Sequence, residues 1–244
     1  MLKKILSVLM LIILTSCSVP QANNVNEDGS YVITKDGIKS DFTNKDNQKI
    51  IWYEDFTCPD CARVHNQTND YISKLLEEDK VEIKFYPIGL LNKYLDNEYS
   101  SRSATWSLSI AQNYPEKIME FKDKLYTEER DKNTLDDNFF REVVKEIGLS
   151  DNDLSKIEKD LEKYRKIVDE STQKAINDKD LIKLGGKEKL FVPFILIDGE
   201  VLDGESKNVK DDVIAPMDKM INDIDIGDCG SDDSEKCVPD KKTK

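Results

Sequence analysis

Two spacings of apolar residues alternate along this chain, and the switches between them mark its elements. Residues 30–42 open with Tyr31-Val32-Ile33-Thr34 and then Asp36-Gly37, which predicts a small leading hairpin. Ile50 to Phe56 is rich in β-branched and aromatic residues and predicts a central strand. Helical spacing takes over at residues 59–78, where Ala62, Val64, Tyr71, Ile72, Leu75 and Leu76 share a face. Val81 to Ile88 returns to strand character. From about Leu95 to Gly185 the period is helical, with helices predicted over 101–113, 115–127, 135–147 and 151–176. Gly148-Leu149-Ser150 supplies a stop and an N-cap between the last two. The dense charge in the final helix, such as Lys156, Glu158, Lys159 and Glu162, marks a solvated face. Leu190 to Ile197 predicts another strand, turned by Asp198-Gly199 into Val201-Leu202. An amphipathic segment from about Asn208 to Ile224 packs on the sheet through Val213, Ile214, Met217, Met220 and Ile221. Strands followed by a long helical excursion and a return to strands imply an α/β sheet with an inserted helical region.

The first residues add a compartment. Lys3 and Lys4 precede an apolar run from Ile5 to Leu14, too short to span a bilayer but suited to the core of a signal peptide. The following Leu14-Thr15-Ser16-Cys17 resembles the lipobox of bacterial lipoproteins, which implies cleavage before Cys17 and lipidation of its sulfur. An ordinary secretory signal with an incidental cysteine is the alternative. Removing residues 1–16 takes two lysines and no acids, so the formal charge moves from 36 − 49 = −13 to 34 − 49 = −15. Such an acidic protein disfavours nucleic acid and anionic headgroups as partners, so membrane attachment rests on acyl chains. Residues 17–30 are polar and without periodicity and read as a tether.

If Cys17 carries lipid, four of the five cysteines remain, as Cys58 with Cys61 and Cys229 with Cys237. Cys58-Pro59-Asp60-Cys61 joins the central strand to the first helix. Two thiols so spaced at a helix start can close a small disulfide, and the free amides there favour a thiolate at Cys58. Cys229 and Cys237 flank a polar tail segment and read either as a local structural disulfide or as a mobile dithiol that exchanges with Cys58 and Cys61. The four cysteines also fit an all-thiolate zinc site on spacing alone, a reading disfavoured in an oxidising compartment. His65, the only histidine, reads as a surface residue of the helix.

These features resemble the DsbA family of extracytoplasmic thiol-disulfide oxidoreductases. The resemblance is carried by Asp55-Phe56-Thr57-Cys58-Pro59-Asp60-Cys61, by the helical run Pro115 to Leu125, and by Val192-Pro193 ahead of Asp198-Gly199. It implies a thioredoxin-like fold with an inserted α-helical domain. The corresponding division is a signal peptide at 1–16, a tether at 17–30, a thioredoxin-like domain at 31–94 and 186–224, an inserted helical domain at 95–185 and an acidic tail at 225–244. It further implies that Cys58 is the nucleophile, that Cys61 is the resolving thiol, and that Val192 and a cis Pro193 face the dithiol and bind substrate. The residues alone favour a trans bond there, since cis is the minority form of X-Pro bonds.

The chain departs from the family pattern in three places. Asp60 stands where histidine is usual, which predicts a less acidic Cys58 and a less oxidising disulfide than in the strongest family members. Trp52 occupies the position of a buried glutamate, and Glu54 or Asp55 is a possible substitute of unsettled facing. Gly185-Gly186-Lys187-Glu188-Lys189 is longer and more charged than the usual glycine turn. The expected function is disulfide donation to exported proteins with free or mispaired cysteines, at the extracytoplasmic face of the bacterial cell membrane. A membrane redox partner reoxidises the protein, and no cofactor or metal is called for. The alternatives are a reductase or isomerase of the same fold, or a non-catalytic lipoprotein that binds peptides.

Overall fold

The computed structural model describes residues 23–95, 97–127 and 136–222. Its centre is a six-stranded sheet of order β2-β1-β4-β3-β5-β6, comprising β1 (Tyr31–Thr34), β2 (Gly37–Lys39), β3 (Gln48–Glu54), β4 (Val81–Pro87), β5 (Phe194–Ile197) and β6 (Glu200–Leu202). Only β3 and β4 run parallel, and α1 (Pro59–Glu77) makes the crossover between them. In their register Ile50 pairs with Ile83 and Trp52 with Phe85. On the other side of β3, Trp52 pairs with Ile195 and Tyr53 with Phe194, antiparallel. Ile50, Trp52 and Glu54 alternate onto one buried face of β3, which fixes the register because a slip of one residue would exchange the two faces.

Both hairpins follow from their turn residues. Gly37 takes φ +95°, and Asp198-Gly199 takes positive φ at both positions (+50° and +84°), as a tight two-residue hairpin requires. Helix α1 covers the sheet with Val64, Ile72, Leu75 and Leu76. The region between β4 and β5 is helical, with α2 (Asn92–Leu95), α3 (Tyr99–Asn113), α4 (Ile118–Thr127, preceded by a 3-10 turn at Pro115–Lys117), α5 (Asp137–Glu146), α6 (Asp151–Asn177) and α7 (Lys179–Leu184). A capping box between Ser150 and Asp153 starts α6. Trp106 of α3 stacks on Phe140 of α5, and the Ser109 hydroxyl donates to the Ile157 carbonyl of α6 at 2.9 Å. Among the described residues, no helix is long and apolar enough to cross a membrane.

Several expectations change. The strand expected from Leu190 begins only at Phe194, because Pro193 has no amide to offer the ladder. Residues 24–30 are not a tether: Asn24 and Val25 are buried, and the Asn24 side chain donates to the Ala111 and Gln112 carbonyls of α3. Polar composition concealed this because asparagine can dock through its amide. The closing amphipathic segment divides into a π-helical turn at Lys210–Ile214 and α8 (Ala215–Asn222). Pro216, with no amide to bond back one turn, interrupts the regular α pattern there. Helices α2 and α7, of four and six residues, are too short to show a period.

Candidate active site

Strand β3 ends at Glu54, and a tight turn carries the chain into α1. The carboxylate of Asp55 organises this turn. One oxygen accepts from the Thr57 amide at 2.9 Å and hydroxyl at 2.7 Å, and the other accepts from the Leu91 amide at 2.8 Å. Burial raises the Asp55 pKa, and these donors oppose the rise. The Thr57 hydroxyl also meets that of Ser100 at 2.7 Å, tying the turn to α3. Cys58 is thereby held as the N-cap residue of α1, with Pro59 at the first helical position, where no amide is needed.

The two thiols face opposite environments. Cys58 is 7% exposed, and its Sγ lies 3.5 Å from the carbonyl oxygen of Val192. Its thiol is held below the ordinary value chiefly by the S–H of Cys61, helped by the amides of Cys61 and Asp60 at the helix start; burial and Asp55 oppose. Sγ makes no formal capping hydrogen bond, so these amides act through their dipoles. Cys61 is 1% exposed, and burial pushes its thiol well above the ordinary value, with Cys58 and Glu54 adding to the rise. Of the two thiols, Cys58 is therefore the one that gives up its proton more readily, and Cys61 the one that keeps it.

The Val192-Pro193 bond is cis, and this segment, singled out in the sequence, lies against Cys58 through the Val192 carbonyl. Behind it, Gly204 approaches so closely that an added Cβ would lie 2.5 Å from the Pro193 oxygen and 2.6 Å from its Cγ. The charged segment after α7 is anchored: Lys187 pairs with Glu205 and sits over the Phe191 ring at 4.3 Å. Glycine at 185 is required because a Cβ would come within 2.8 Å of that ring.

Beneath the dithiol lies a charged pair that sequence reasoning left open or missed. Glu54, 1% exposed, faces Lys122 of α4, whose Nζ is 3.2 Å from Oε1 without hydrogen-bond geometry. Burial lowers the Lys122 pKa, and Glu54 opposes the fall. Lys122 Nζ also lies 3.4 Å from the centroid of the Phe85 ring. The Tyr126 hydroxyl is buried there, and burial drives its pKa far upward. Lys122 was visible in the sequence as a cation on the same helical face as Ile118 and Tyr126, at i and i+4 spacing. Glu54 thus fills the interior that Trp52 leaves without a carboxylate, whereas Asp55 serves the turn.

His65 is not a surface residue. It is 6% exposed, its Nε2 lies 2.7 Å from Asp123, and its ring packs against Tyr126. Helix α4 covers this face of α1, which periodicity within α1 could not reveal. Asp60 has a partner too, Arg63, one turn along α1, so the charge expected to oppose a Cys58 thiolate is offset. Among the described residues, no group of three or more His, Cys, Asp or Glu side chains is placed to hold a metal ion. Cys17, Cys229 and Cys237 lie outside the described residues.

A family model described as thioredoxin matches residues 44–212. Among curated proteins, none matches the chain. Similar solved structures include the MdbA protein, a thiol-disulfide oxidoreductase from Corynebacterium diphtheriae, at 26% identity and a TM-score of 0.52, covering 74% of this chain and 87% of that one. DsbA from Mycobacterium tuberculosis, reduced, matches at 17% identity and a TM-score of 0.56, covering 80% and 93%. BdbD from Bacillus subtilis, oxidised, matches at 16% identity and a TM-score of 0.55, covering 82% and 97%. With the family model spanning the dithiol turn, strands β3 to β6 and the helical insertion, the chain belongs to the thioredoxin family, in its DsbA-like branch of thiol-disulfide oxidoreductases.

Proposed function

We propose that this oxidoreductase works outside the cytoplasm as a disulfide donor to exported proteins, with Cys58 as nucleophile and Cys61 as resolving thiol. The observation that carries this reading is the asymmetry of the pair: Cys58, its thiol lowered, faces the Val192 carbonyl at 3.5 Å, while Cys61, its thiol raised, is buried behind it. A substrate thiolate attacks Cys58 in the disulfide, and the Cys58–Cys61 bond breaks as a mixed disulfide forms. Cys61 leaves with the electron pair and takes a proton, for which the Lys122 and Glu54 pair beneath it is the nearby source. A second substrate thiolate attacks the substrate sulfur of the mixed disulfide and expels Cys58 as a thiolate. The substrate gains a disulfide, and the protein holds the two electrons.

A depressed thiol at Cys58 favours the last step, because the better-stabilised thiolate is the better leaving group. The backbone of Val192, next to Pro193, offers an extended substrate a carbonyl acceptor in the cleft. Reoxidation falls to an electron acceptor, in this reading a quinone-coupled membrane partner. Lipidation at Cys17 would keep the protein at the membrane where such a partner resides. Refolding of a reduced, disulfide-requiring protein tests the proposal. Oxidised wild type accelerates recovery and Cys58→Ser does not; equal recovery with both refutes it.

A further inference from the structure

Arg63 makes contacts that the dithiol chemistry just described does not use. It projects from α1, five residues after Cys58, and pairs with Asp60 inside the Cys-Pro-Asp-Cys turn. Its remaining donors leave the helix altogether. Nη2 donates to the Glu205 carbonyl at 2.9 Å and the Ser206 carbonyl at 2.8 Å, and Nε donates to the Ser206 carbonyl at 3.2 Å. Those carbonyls belong to the turn after β6, which is closed by the Ser206 amide bonding to Asp203 and is the same turn whose Gly204 is pressed against Pro193. One planar cation thus joins the dithiol helix to the structure backing the other wall of the cleft.

We propose that Arg63 is a positioning residue for substrate: with Asp60 as its anchor, it pins the Asp203–Ser206 turn against Pro193 and so fixes the Val192 edge relative to Cys58. The guanidinium suits this task because its fork of fixed donors serves a carboxylate on one side and carbonyls on the other, which a lysine ammonium at a single point cannot. Both side chains are only partly exposed, at 24% for Arg63 and 36% for Asp60. The inference gives Asp60 a second purpose. Its carboxylate sits beside Cys58 with its charge compensated, and the compensating group does mechanical work on the cleft. The role rests on the disulfide-donor reading, since it concerns how a peptide is held while sulfur exchange occurs.

The test compares wild type with Asp60→Asn, and with Arg63→Ala and Arg63→Lys each made in the Asp60→Asn background, in oxidation of a two-cysteine peptide and of dithiothreitol, which needs no cleft. Arg63→Ala made in the Asp60→Asn background, which leaves no uncompensated carboxylate beside Cys58, is expected to raise KM for the peptide about tenfold over wild type, with kcat and the dithiothreitol rate within about twofold of Asp60→Asn alone. Arg63→Lys in that background recovers less than half of the loss, and Asp60→Asn alone shows a smaller shift in the same direction. An unchanged peptide KM, or an equal loss with peptide and dithiothreitol, overturns the proposal. Amide hydrogen exchange supplies a readout without turnover: residues 203–208 exchange at least about tenfold faster in Arg63→Ala made in the Asp60→Asn background while β3 is unaffected. Unaltered exchange at 203–208 also overturns the proposal. A wild type that oxidises neither peptide nor dithiothreitol defeats the donor reading by itself, and the exchange measurement then still decides whether Arg63 holds the turn.

Discussion

Cys58 and Cys61 carry the same side chain, three residues apart on one helix, yet their surroundings drive them in opposite directions. Around Cys58 the protein offers helix amides, a neighbouring S–H donor and the backbone carbonyl of Val192. Around Cys61 it offers apolar packing, the carboxylate of Glu54 and the buried Lys122. Helix position alone would favour an anion at both. Burial, Cys58 and Glu54 push the Cys61 thiol up, whereas at Cys58 the S–H of Cys61 and the helix-start amides outweigh burial. An exchange catalyst needs this division, with one sulfur that attacks or leaves as an anion and one that stays protonated until its turn.

The largest expected break of that contrast comes from the sulfurs themselves. Cys58→Ser is expected to lower disulfide transfer by at least about a thousandfold, whereas Cys61→Ser keeps a reactive Cys58 and accumulates a mixed disulfide visible by mass spectrometry. Next in size is the charged pair under Cys61. Lys122→Met leaves Glu54 buried without its cation and is expected to cost about 3 to 5 kcal/mol in urea unfolding. Adding Glu54→Gln to the same chain restores most of that stability. If the single and double variants unfold alike, the pair is not coupled in the way described.

The two thiols also differ in how they titrate. In the reduced protein, alkylation at Cys58 should rise with pH through a midpoint below the ordinary thiol value of 9.0, with Cys61 unreactive throughout. The depressed Cys58 pKa contributes stability that is fully present above the ordinary thiol value and lost as pH falls through the folded one. The raised Cys61 pKa contributes stability that is present below the ordinary value and lost as pH rises toward the folded one. Reduced-state stability should therefore climb with pH across the interval between the Cys58 folded value and the ordinary one. The smallest effect is a control far from the dithiol: Ser150→Ala removes half of the α6 capping box, costs about 1 kcal/mol, and leaves Cys58 alkylation unchanged.

Much of this architecture was legible in the residues because local chemistry and tertiary role coincide. Ile50 to Phe56 is a strand by composition and central by burial, Asp198-Gly199 makes the turn its residues favour, and the dithiol stands where strand gives way to helix. What stayed hidden depends on which element covers which. His65 is buried by α4, Asn24 and Val25 by α3, and Arg63 reaches a turn more than a hundred residues away. Glu54 was one of two acids considered for the interior, and only the pairing of β3 with its neighbours determines that it, not Asp55, faces Lys122. The helical insertion, by contrast, was readable in every helix long enough to show a period.

The central claim is that two electrons pass between a substrate and the Cys58–Cys61 pair through Cys58. The most direct measurement mixes oxidised protein with an equimolar reduced two-cysteine peptide, quenches in acid at intervals and follows both by mass spectrometry. The account predicts that the peptide loses two hydrogens as the protein gains two, through a transient adduct mapped to Cys58. A peptide that stays reduced while the Cys58–Cys61 bond stays closed, or an adduct mapped to Cys61, would contradict it.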